Sequence, residues 1–256
     1  MKTFIKNRHD KKIAVVVRQN PKQSGLAFVM HGLGGFKEQP HIQMFANVFS
    51  ENDFTVVLFD ATHTFGESEG DYADATTTNY YEDFEDVINW AKNQNWYQEP
   101  FWLAGHSLGG ISVALYAEKY PKEVKVLIPI STVVSGELSR ESKSTKGELQ
   151  QWEKTGWRDS KSESVPGLIK RLKWSHMQDR MKYDLLSDVN KLTMPVLMIV
   201  GENDDSTPPE HQKVSFDVLP GKKEIHIIKG AHHTFRDLVH LEEIKMIFDK
   251  WIKNNL

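Results

Sequence analysis

The amino-acid sequence predicts an α/β fold with a mostly parallel central sheet flanked by helices. Short apolar, β-branched runs recur along the chain, longer amphipathic stretches separate them, and no fixed-period repeat is visible. This alternation is typical of β-α-β units, in which parallel strands are joined by helical crossovers. A chain of 256 residues is long enough to bury the core of one large domain of this kind.

Seven apolar runs have the length and composition of strands. In chain order they are Lys12–Val17, Leu26–Met30, Thr55–Phe59, Phe101–Ala104, Val124–Ile130, Val196–Val200 and Lys223–Ile228. Phe4–Ile5 is a candidate edge strand, because an Asn-Arg-His-Asp turn separates it from the first run. Apolar residues at spacings of three and four predict helices over Glu82–Asn93 and Arg236–Lys253.

The composition excludes several classes of protein. A net charge of −3 argues against general nucleic-acid binding, and 39% hydrophobic residues are too many for a disordered chain. The absence of cysteine excludes disulfides, thiolate metal sites and a cysteine nucleophile. Because no apolar run is long enough for a signal peptide or a membrane span, we expect a cytoplasmic protein.

One segment interrupts the alternation of strands and helices. Ser131–Asp184 contains 11 Lys or Arg, 8 Asp or Glu and three of the seven tryptophans. Connections this long are usually lids, inserted subdomains or disordered loops. We interpret the segment as a small cap, partly ordered by a helical stretch at Leu168–Leu172, and keep a flexible charged loop as the alternative. The predicted domains are a core of residues 1–130 and 185–256 and a cap of residues 131–184.

A second segment is strongly acidic. Glu38–Ala91 holds twelve acids and neither Lys nor Arg, so the rest of the chain carries a net charge of +9. We interpret it as a solvated acidic face. A Ca²⁺ loop is disfavoured, because Glu67, Glu69 and Asp71 lack the spaced ligands and terminal Glu of an EF-hand.

The sequence Gly105-His106-Ser107-Leu108-Gly109 is the strongest local signal of chemistry. It follows the strand Phe101–Ala104 directly and precedes a helix-like stretch, which is the context that a nucleophile elbow requires. Such a turn is sharp, so glycines stand where a Cβ would clash with backbone. Ser107 is therefore the candidate nucleophile, and a glycine-rich turn that only caps a helix is the alternative.

A nucleophilic serine needs a base, an acid that orients the base, and an oxyanion hole. The loop after Val196–Val200 offers Asp204 or Asp205 as the acid, and the loop after the last predicted strand offers His232 or His233 as the base. Upstream, Leu26–Met30 runs into a His-Gly-Leu-Gly-Gly loop. This loop predicts a backbone N–H opposite the one that follows the serine.

These four loops, in this order, resemble the α/β-hydrolase fold family. The resemblance covers essentially the whole chain outside Ser131–Asp184, where the family inserts a variable cap. Within the family, the chain is most similar to small bacterial carboxylesterases of the cinnamoyl-esterase and monoacylglycerol-lipase type. The loop that begins at Asp60 departs from the usual Gly-His-Gly-x-Ser-x-Gly, since Ala61–Phe65 replaces its start and adds a residue.

The resemblance implies roles for individual residues. Ser107 matches the nucleophile, and His233 takes the fourth place of Gly-Ala-x-His. Asp204 matches the acid, because it stands three residues after Gly201 and four before Pro208, with Asp205 as the alternative. The oxyanion donors implied are the backbone N–H groups of Leu33 and Leu108.

The remaining histidines are interpreted as structural. His31 and His106 adjoin the expected site, and His41 and His63 lie on loops or helix starts near it. A zinc site of His31, His63, His232 and His233 is disfavoured, because no His-x-x-x-His or comparable spacing is present. We therefore expect neither a metal nor a cofactor.

The predicted function is a serine carboxylesterase that cleaves small to medium acyl or aromatic esters through an acyl-serine intermediate. Trp152, Trp157 and Trp174 are expected either to line its substrate pocket or to bury the cap, and the net charge of +3 in the cap disfavours cationic substrates. The alternatives are a thioesterase or peptidase on the same fold, and a non-catalytic ligand-binding or sensor protein. The expected partner is a small ester, with the protein a monomer or homodimer.

Overall fold

The computed structural model describes residues 1–162 and 167–256. Its strands, in chain order, are β1 (Lys2–Lys6), β2 (Lys12–Arg18), β3 (Gly25–Met30), β4 (Phe54–Phe59), β5 (Phe101–His106), β6 (Val124–Ile130), β7 (Trp157–Lys161), β8 (Ile169–Lys173), β9 (Val196–Gly201) and β10 (Lys223–Ile228). Eight of them form one sheet in the order β1-β2-β4-β3-β5-β6-β9-β10. Pairing is antiparallel from β1 to β4 and parallel from there to β10, which confirms the predicted mostly parallel sheet and the edge strand.

Helices cover both faces of this sheet. They are α1 (Pro40–Glu51), α2 (Thr77–Ala91), α3 (Leu108–Lys119), α4 (Gly136–Glu141), α5 (Lys143–Lys146), α6 (Leu149–Thr155), α7 (Ser175–Arg180), α8 (Pro209–Val218) and α9 (Leu238–Lys253). The apolar sides of α1 and α9 share one buried cluster with one face of the sheet, and those of α2 and α3 share another with the opposite face. No described helix is both long and apolar enough to cross a membrane.

The central strands are apolar because both of their faces are covered. Every residue of β3, β4, β5 and β9 is buried, which is typical of parallel strands between two helical layers. Helix α2 begins five residues before the predicted Glu82, because the Thr76 side chain caps it by accepting a hydrogen bond from Asn79 N at 3.0 Å. Helix α9 begins two residues after the predicted Arg236.

Residues 131–184, here called the insertion, leave the sheet after β6 and return before β9. Its two ends meet at a neck, where Leu185 N donates to Val134 O and Gly136 N donates to Tyr183 O, each at 3.0 Å. Inside lie α4 to α7 and the antiparallel pair β7–β8. The prediction of a helix at Leu168–Leu172 is wrong, since most of these residues form β8. The division of the chain into core and cap domains stays a prediction.

The acidic segment 38–91 is only partly a solvated face. Asp60 and Asp83 are buried, and Glu85 and Asp86 both pair with Arg8 from the turn after β1. Cations from elsewhere in the chain therefore neutralise part of the charge. Among the described residues, no group of three or more His, Asp or Glu side chains is placed to hold a metal ion.

Candidate active site

The sequence around Ser107 forms a sharp turn between β5 and α3. Ser107 has φ 57° and ψ −115°, a strained conformation for a residue with a side chain. A Cβ on Gly105 would overlap the carbonyl oxygen of Gly109, and a Cβ on Gly109 would overlap that of His31. The two glycines therefore let the turn and the neighbouring loop approach closely, and they raise Ser107 above the carboxyl ends of the strands.

The structure brings Ser107, His233 and Asp204 together. His233 follows β10 and Asp204 follows β9, so both reach the same edge of the sheet as Ser107. The Ser107 Oγ lies 2.9 Å from His233 Nε2, and His233 Nδ1 lies 2.8 Å from Asp204 Oδ2. These distances form one continuous chain of hydrogen bonds from a buried carboxylate to a hydroxyl.

The Asp204 carboxylate is held by several donors besides His233. The backbone N–H groups of Ser206 and Thr207 donate to Oδ1 at 2.9 and 2.8 Å, and the Thr207 hydroxyl lies 2.9 Å from Oδ2. Burial disfavours the ionised form, but the His233 charge and these hydrogen bonds outweigh it and lower the pKa of Asp204 well below its usual range. Asp204 is therefore an anion at neutral pH.

Asp205 and His232, the sequence neighbours of Asp204 and His233, lie outside this chain of hydrogen bonds. The Asp205 side chain is 61% exposed, and its nearest cation is Lys143, at 3.6 Å. His232 is exposed, and its carbonyl oxygen accepts a hydrogen bond from Phe235 N at 3.2 Å. Of the paired alternatives in the sequence, Asp204 and His233 are the members that lie in the hydrogen-bonded chain to Ser107.

The loop after β3 runs directly against the serine turn. A Cβ on Gly32 would come within 2.9 Å of the Ser107 Cβ. The loop is fixed by His31, whose Nδ1–H donates to Gly32 O at 2.8 Å, and by Gly34 N, which donates to the Tyr80 hydroxyl at 3.1 Å. This arrangement places Leu33 beside Ser107.

Leu108 provides a second backbone N–H at the site. It is the first residue of α3, so its N–H has no acceptor within the helix, and the positive end of the helix dipole lies at the same point. Leu33, in the loop after β3, and Leu108, at the start of α3, therefore both adjoin Ser107.

His106 positions the backbone of the candidate base. Its Nε2–H donates to the carbonyl oxygen of His233 at 2.7 Å, and its ring packs 4.6 Å from that of His41. Burial and the His233 charge lower the pKa of His106 to about 3, so it is neutral at physiological pH. His63 lies apart and donates from Nδ1 to Asp71 O at 2.9 Å.

Two cavities flank Ser107. The first, here called the basic cavity, has a volume of about 260 Å³ and is lined from the insertion by Arg158, Lys170 and Arg180 among others. The second, here called the loop cavity, has a volume of about 170 Å³ and is lined by Gly32–Gly35. Since Ser107 and His233 line both, a bound group can extend from Ser107 in two directions.

The three tryptophans expected at the pocket are not among the residues that line either cavity. Trp152 is 2% exposed and packs edge-on against Trp174, with ring centres 5.4 Å apart. Trp157 lies under the Arg171 guanidinium, 4.6 Å from its ring centre. The structure thus places them in the packing of the insertion, which is the other interpretation that the sequence left open.

Sequence reasoning missed most residues that line the basic cavity. Arg158, Lys161, Lys170 and Arg180 come from three different elements of the insertion, and Tyr72 comes from a short 3₁₀ helix before α2. No local spacing connects them. The only signal in the sequence was the excess of cations in residues 131–184.

Comparisons with known proteins give two family matches and several similar structures. The family described as serine aminopeptidase, S33, matches residues 21–165, more than half of the chain, and the family described as PhoPQ-activated pathogenicity-related protein matches residues 164–255. An uncharacterised 31.7 kDa protein of the traX-finO intergenic region of Escherichia coli is 25% identical, with 90% of this chain and 91% of that protein covered.

Two solved structures are similar over nearly their full length. Est1E from Butyrivibrio proteoclasticus with bound ferulic acid has a TM-score of 0.83 and 23% identity, covering 99% of this chain and 98% of its own. Alpha/beta hydrolase domain-containing protein 10 from mouse has a TM-score of 0.80 and 18% identity, covering 99% of both chains. At these identities the likeness defines the fold, and the substrate must be inferred from the site.

Proposed function

We propose that this chain, which belongs to the serine aminopeptidase S33 family and has the α/β-hydrolase fold, is a serine carboxylesterase. The observation that carries the proposal is the hydrogen-bonded chain from Asp204 through His233 to the Ser107 Oγ, with distances of 2.8 and 2.9 Å. Fold alone would not imply chemistry, but this geometry is that of an activated nucleophile.

In the first step the Ser107 Oγ attacks the carbonyl carbon of the ester while His233 Nε2 takes the hydroxyl proton. The carbonyl π electrons move to its oxygen, and the resulting oxyanion accepts hydrogen bonds from the N–H groups of Leu33 and Leu108. Losing one such donor typically costs about 10²–10³ in rate. Asp204 stabilises the imidazolium and keeps His233 in the tautomer that presents Nε2 to Ser107.

In the second step the carbonyl re-forms, the bond to the alcohol oxygen breaks, and His233 gives its proton to the departing alkoxide. Water then attacks the acyl-Ser107 carbonyl while His233 takes one of its protons. Collapse of this intermediate releases the carboxylic acid and returns a proton to Ser107. Every proton transfer runs through His233, so the sequence of steps uses no cofactor.

The charges at the site favour an ester over an aminopeptidase substrate. An aminopeptidase must accommodate the cationic N-terminus of a peptide, which calls for a carboxylate close to the nucleophile. Among the described residues, no Asp or Glu lines either cavity, whereas Arg158, Lys170 and Arg180 line the basic cavity. The similarity to Est1E, whose structure holds ferulic acid, adds hydroxycinnamate esters to the candidate substrates.

The proposal is tested by initial rates on p-nitrophenyl esters from acetate to laurate and on a methyl hydroxycinnamate, for the wild type and Ser107→Ala. We expect hydrolysis by the wild type that Ser107→Ala abolishes, and the best chain length measures the acyl pocket. Ester turnover that survives in Ser107→Ala would refute the proposal. Preferred cleavage of an acyl thioester or an aminoacyl p-nitroanilide would reassign the same residues to a thioesterase or a peptidase.

A further inference from the structure

The basic cavity has an unusual charge distribution. Four of its lining residues, Arg158, Lys161, Lys170 and Arg180, are cationic, and none of its described lining residues is acidic. It shares Ser107 and His233 with the loop cavity, so these cations surround a space that opens onto the nucleophile. Its volume of about 260 Å³ suits a short substituent better than a long acyl chain.

Of the two arginines that line the basic cavity, Arg180 is the one without an ion-pair partner among the described residues. Arg8, Arg140, Arg158 and Arg171 each pair with a carboxylate. Arg180 makes no ion pair within residues 1–162 and 167–256, and its Nε is buried without a hydrogen-bond partner there. Buried guanidinium groups in proteins are normally paired, because removing the charge from water is costly.

The position and charge of Arg180 are both fixed. It ends α7, and its carbonyl oxygen lies against Gly136 so closely that a Cβ on Gly136 would come within 2.6 Å of it. Burial and the nearby Arg158 charge lower the pKa of Arg180 to about 10. At neutral pH the guanidinium therefore stays protonated.

Two other groups complete a binding site for an anion. Arg158 is oriented in advance, since it donates to Glu148 and to Ser144 O at 2.6 Å each and stacks on Trp152. Tyr72 lines the same cavity, and its hydroxyl makes no hydrogen bond within the part of the chain that the structure describes. Guanidinium and hydroxyl donors around one small space are the groups that bind carboxylate and phosphate oxygens.

We propose that the basic cavity binds an anionic group of the substrate, with Arg180 as its anchor, so that the preferred substrates are esters carrying a carboxylate or phosphate on a short chain. The inference rests on the proposed esterase activity of Ser107 and specifies its substrate class. A neutral ester would leave the Arg180 charge uncompensated, whereas an anionic one supplies the missing acceptor.

Matched substrate pairs test the proposal at constant ionic strength, since surface charge effects depend on salt. On the acyl side, 4-nitrophenyl hydrogen glutarate is compared with its methyl ester. On the alcohol side, 1-butyrylglycerol 3-phosphate is compared with 1-butyrylglycerol. We expect the wild type to prefer the charged member of at least one pair by roughly tenfold or more in kcat/KM. The pair that responds distinguishes a carboxylate from a phosphate.

Arg180→Gln should lower this charged-to-neutral ratio at least about fivefold, because one charge-assisted contact is lost. Lys154→Gln is the matched control. It removes one positive charge from an exposed position on α6 that lines neither cavity, and it should leave the ratio unchanged. Equal kcat/KM for both members of both pairs in the wild type, or equal ratios in Arg180→Gln and the wild type, would overturn the inference.

Two further measurements keep the result interpretable. If Arg180→Gln does not fold, wild-type hydrolysis of p-nitrophenyl butyrate is inhibited with glutarate, inorganic phosphate or neutral glutaramide. Competitive inhibition by an anion at least tenfold stronger than by glutaramide supports the inference, and equal inhibition overturns it. Calorimetric binding of glutarate or phosphate to Ser107→Ala tests the anion site even if Ser107 proves not to be an esterase nucleophile.

Discussion

The two sides of His233 differ in how the protein compensates a buried charge. On one side, the Asp204 carboxylate is surrounded by donors from Ser206, Thr207 and His233. On the other side, the Arg180 guanidinium lines a cavity without an acceptor for its Nε within the described chain. In the enzyme that we propose, the charge that orients the catalytic base is satisfied inside the fold, whereas the charge that recognises the substrate is left for the substrate to satisfy.

The largest effect should follow from removing the Asp204 carboxylate. Asp204→Asn is expected to lower kcat about 10⁴-fold, because an amide no longer favours the productive tautomer of His233 or stabilises its cation. Asp205→Asn is the matched control, since that carboxylate is 61% exposed and does not contact His233, and it should change kcat by less than about twofold. Ester hydrolysis rates measure both, and similar losses in the two variants would contradict the assignment of Asp204.

A second effect tests the close contact between the turn at Ser107 and the end of β3. Gly109→Ala should cost at least about 2 kcal/mol of unfolding free energy, because its Cβ would overlap the carbonyl oxygens of Met30 and His31. Gly147→Ala in the insertion is the control. Nothing lies within 4 Å of its Cβ and its φ is −71°, so it should be neutral or stabilising by about 0.5 kcal/mol. Denaturant unfolding decides, and equal costs would contradict the close contact.

Glu118, one residue before the end of α3, is a buried carboxyl away from both cavities, and its Oε1 has no hydrogen-bond partner among the described residues. Burial and the Asp188 charge raise the pKa of Glu118 to about 8, from 4.5 in the unfolded chain. The folded state therefore binds the proton more tightly, and the stability gained below pH 4.5 is lost as the pH rises through 8. Glu118→Gln should match the wild type near pH 4 and exceed it by at least about 2 kcal/mol at pH 9.

Urea unfolding of the wild type and Glu118→Gln at the two pH values measures this difference. A stability gap that is the same at pH 4 and pH 9 would show that the buried carboxyl is not responsible. Glu123→Gln would serve as a control, because that carboxylate pairs with Lys92 at 3.0 Å and is not left uncompensated.

The smallest effect concerns what Arg180 contributes to the stability of the ligand-free protein. Arg180→Met should stabilise the ligand-free protein by about 1 kcal/mol, since it replaces a partly buried charge, without an ion-pair partner in the described chain, by an apolar side chain and so removes a desolvation cost. Arg171→Met should change stability little, because Arg171 is 60% exposed and pairs with Asp159 at 3.4 Å. Thermal melts of both variants test this, and strong destabilisation by Arg180→Met would identify the cation as structural.

The sequence predicted the sheet and the sharp turn at Ser107 because both depend on local patterns. Strands such as β3 and β9 are continuous apolar runs, and the five residues around Ser107 specify a turn that needs glycine at fixed places. Asp204 and Asp205 could not be separated by the residues alone, since the choice depends on how the loop after β9 turns. That loop is fixed by hydrogen bonds to Asp204 from residues further along it.

The insertion was harder to predict for a physical reason. Leu168–Leu172 is too short for its periodicity to distinguish a helix from a strand, and β8 exists because β7 pairs with it. Likewise, nothing in the sequence marks Arg180 as different from Arg171. Arg180 has no ion-pair partner within residues 1–162 and 167–256, and Arg171 meets Asp159 only because β8 pairs with β7.

The neck of the insertion has a consequence for how such a protein can change over evolutionary time. The chain departs from β6 and rejoins the sheet at β9, which is the neighbour of β6, and hydrogen bonds between residues 134–136 and 183–185 close the stem. Residues beyond the stem can be exchanged, lengthened or recharged without shifting the register of any strand that carries Ser107, Asp204 or His233. New substrate ranges are thereby accessible through changes on one side of the stem, while the hydrolytic chemistry is inherited intact on the other.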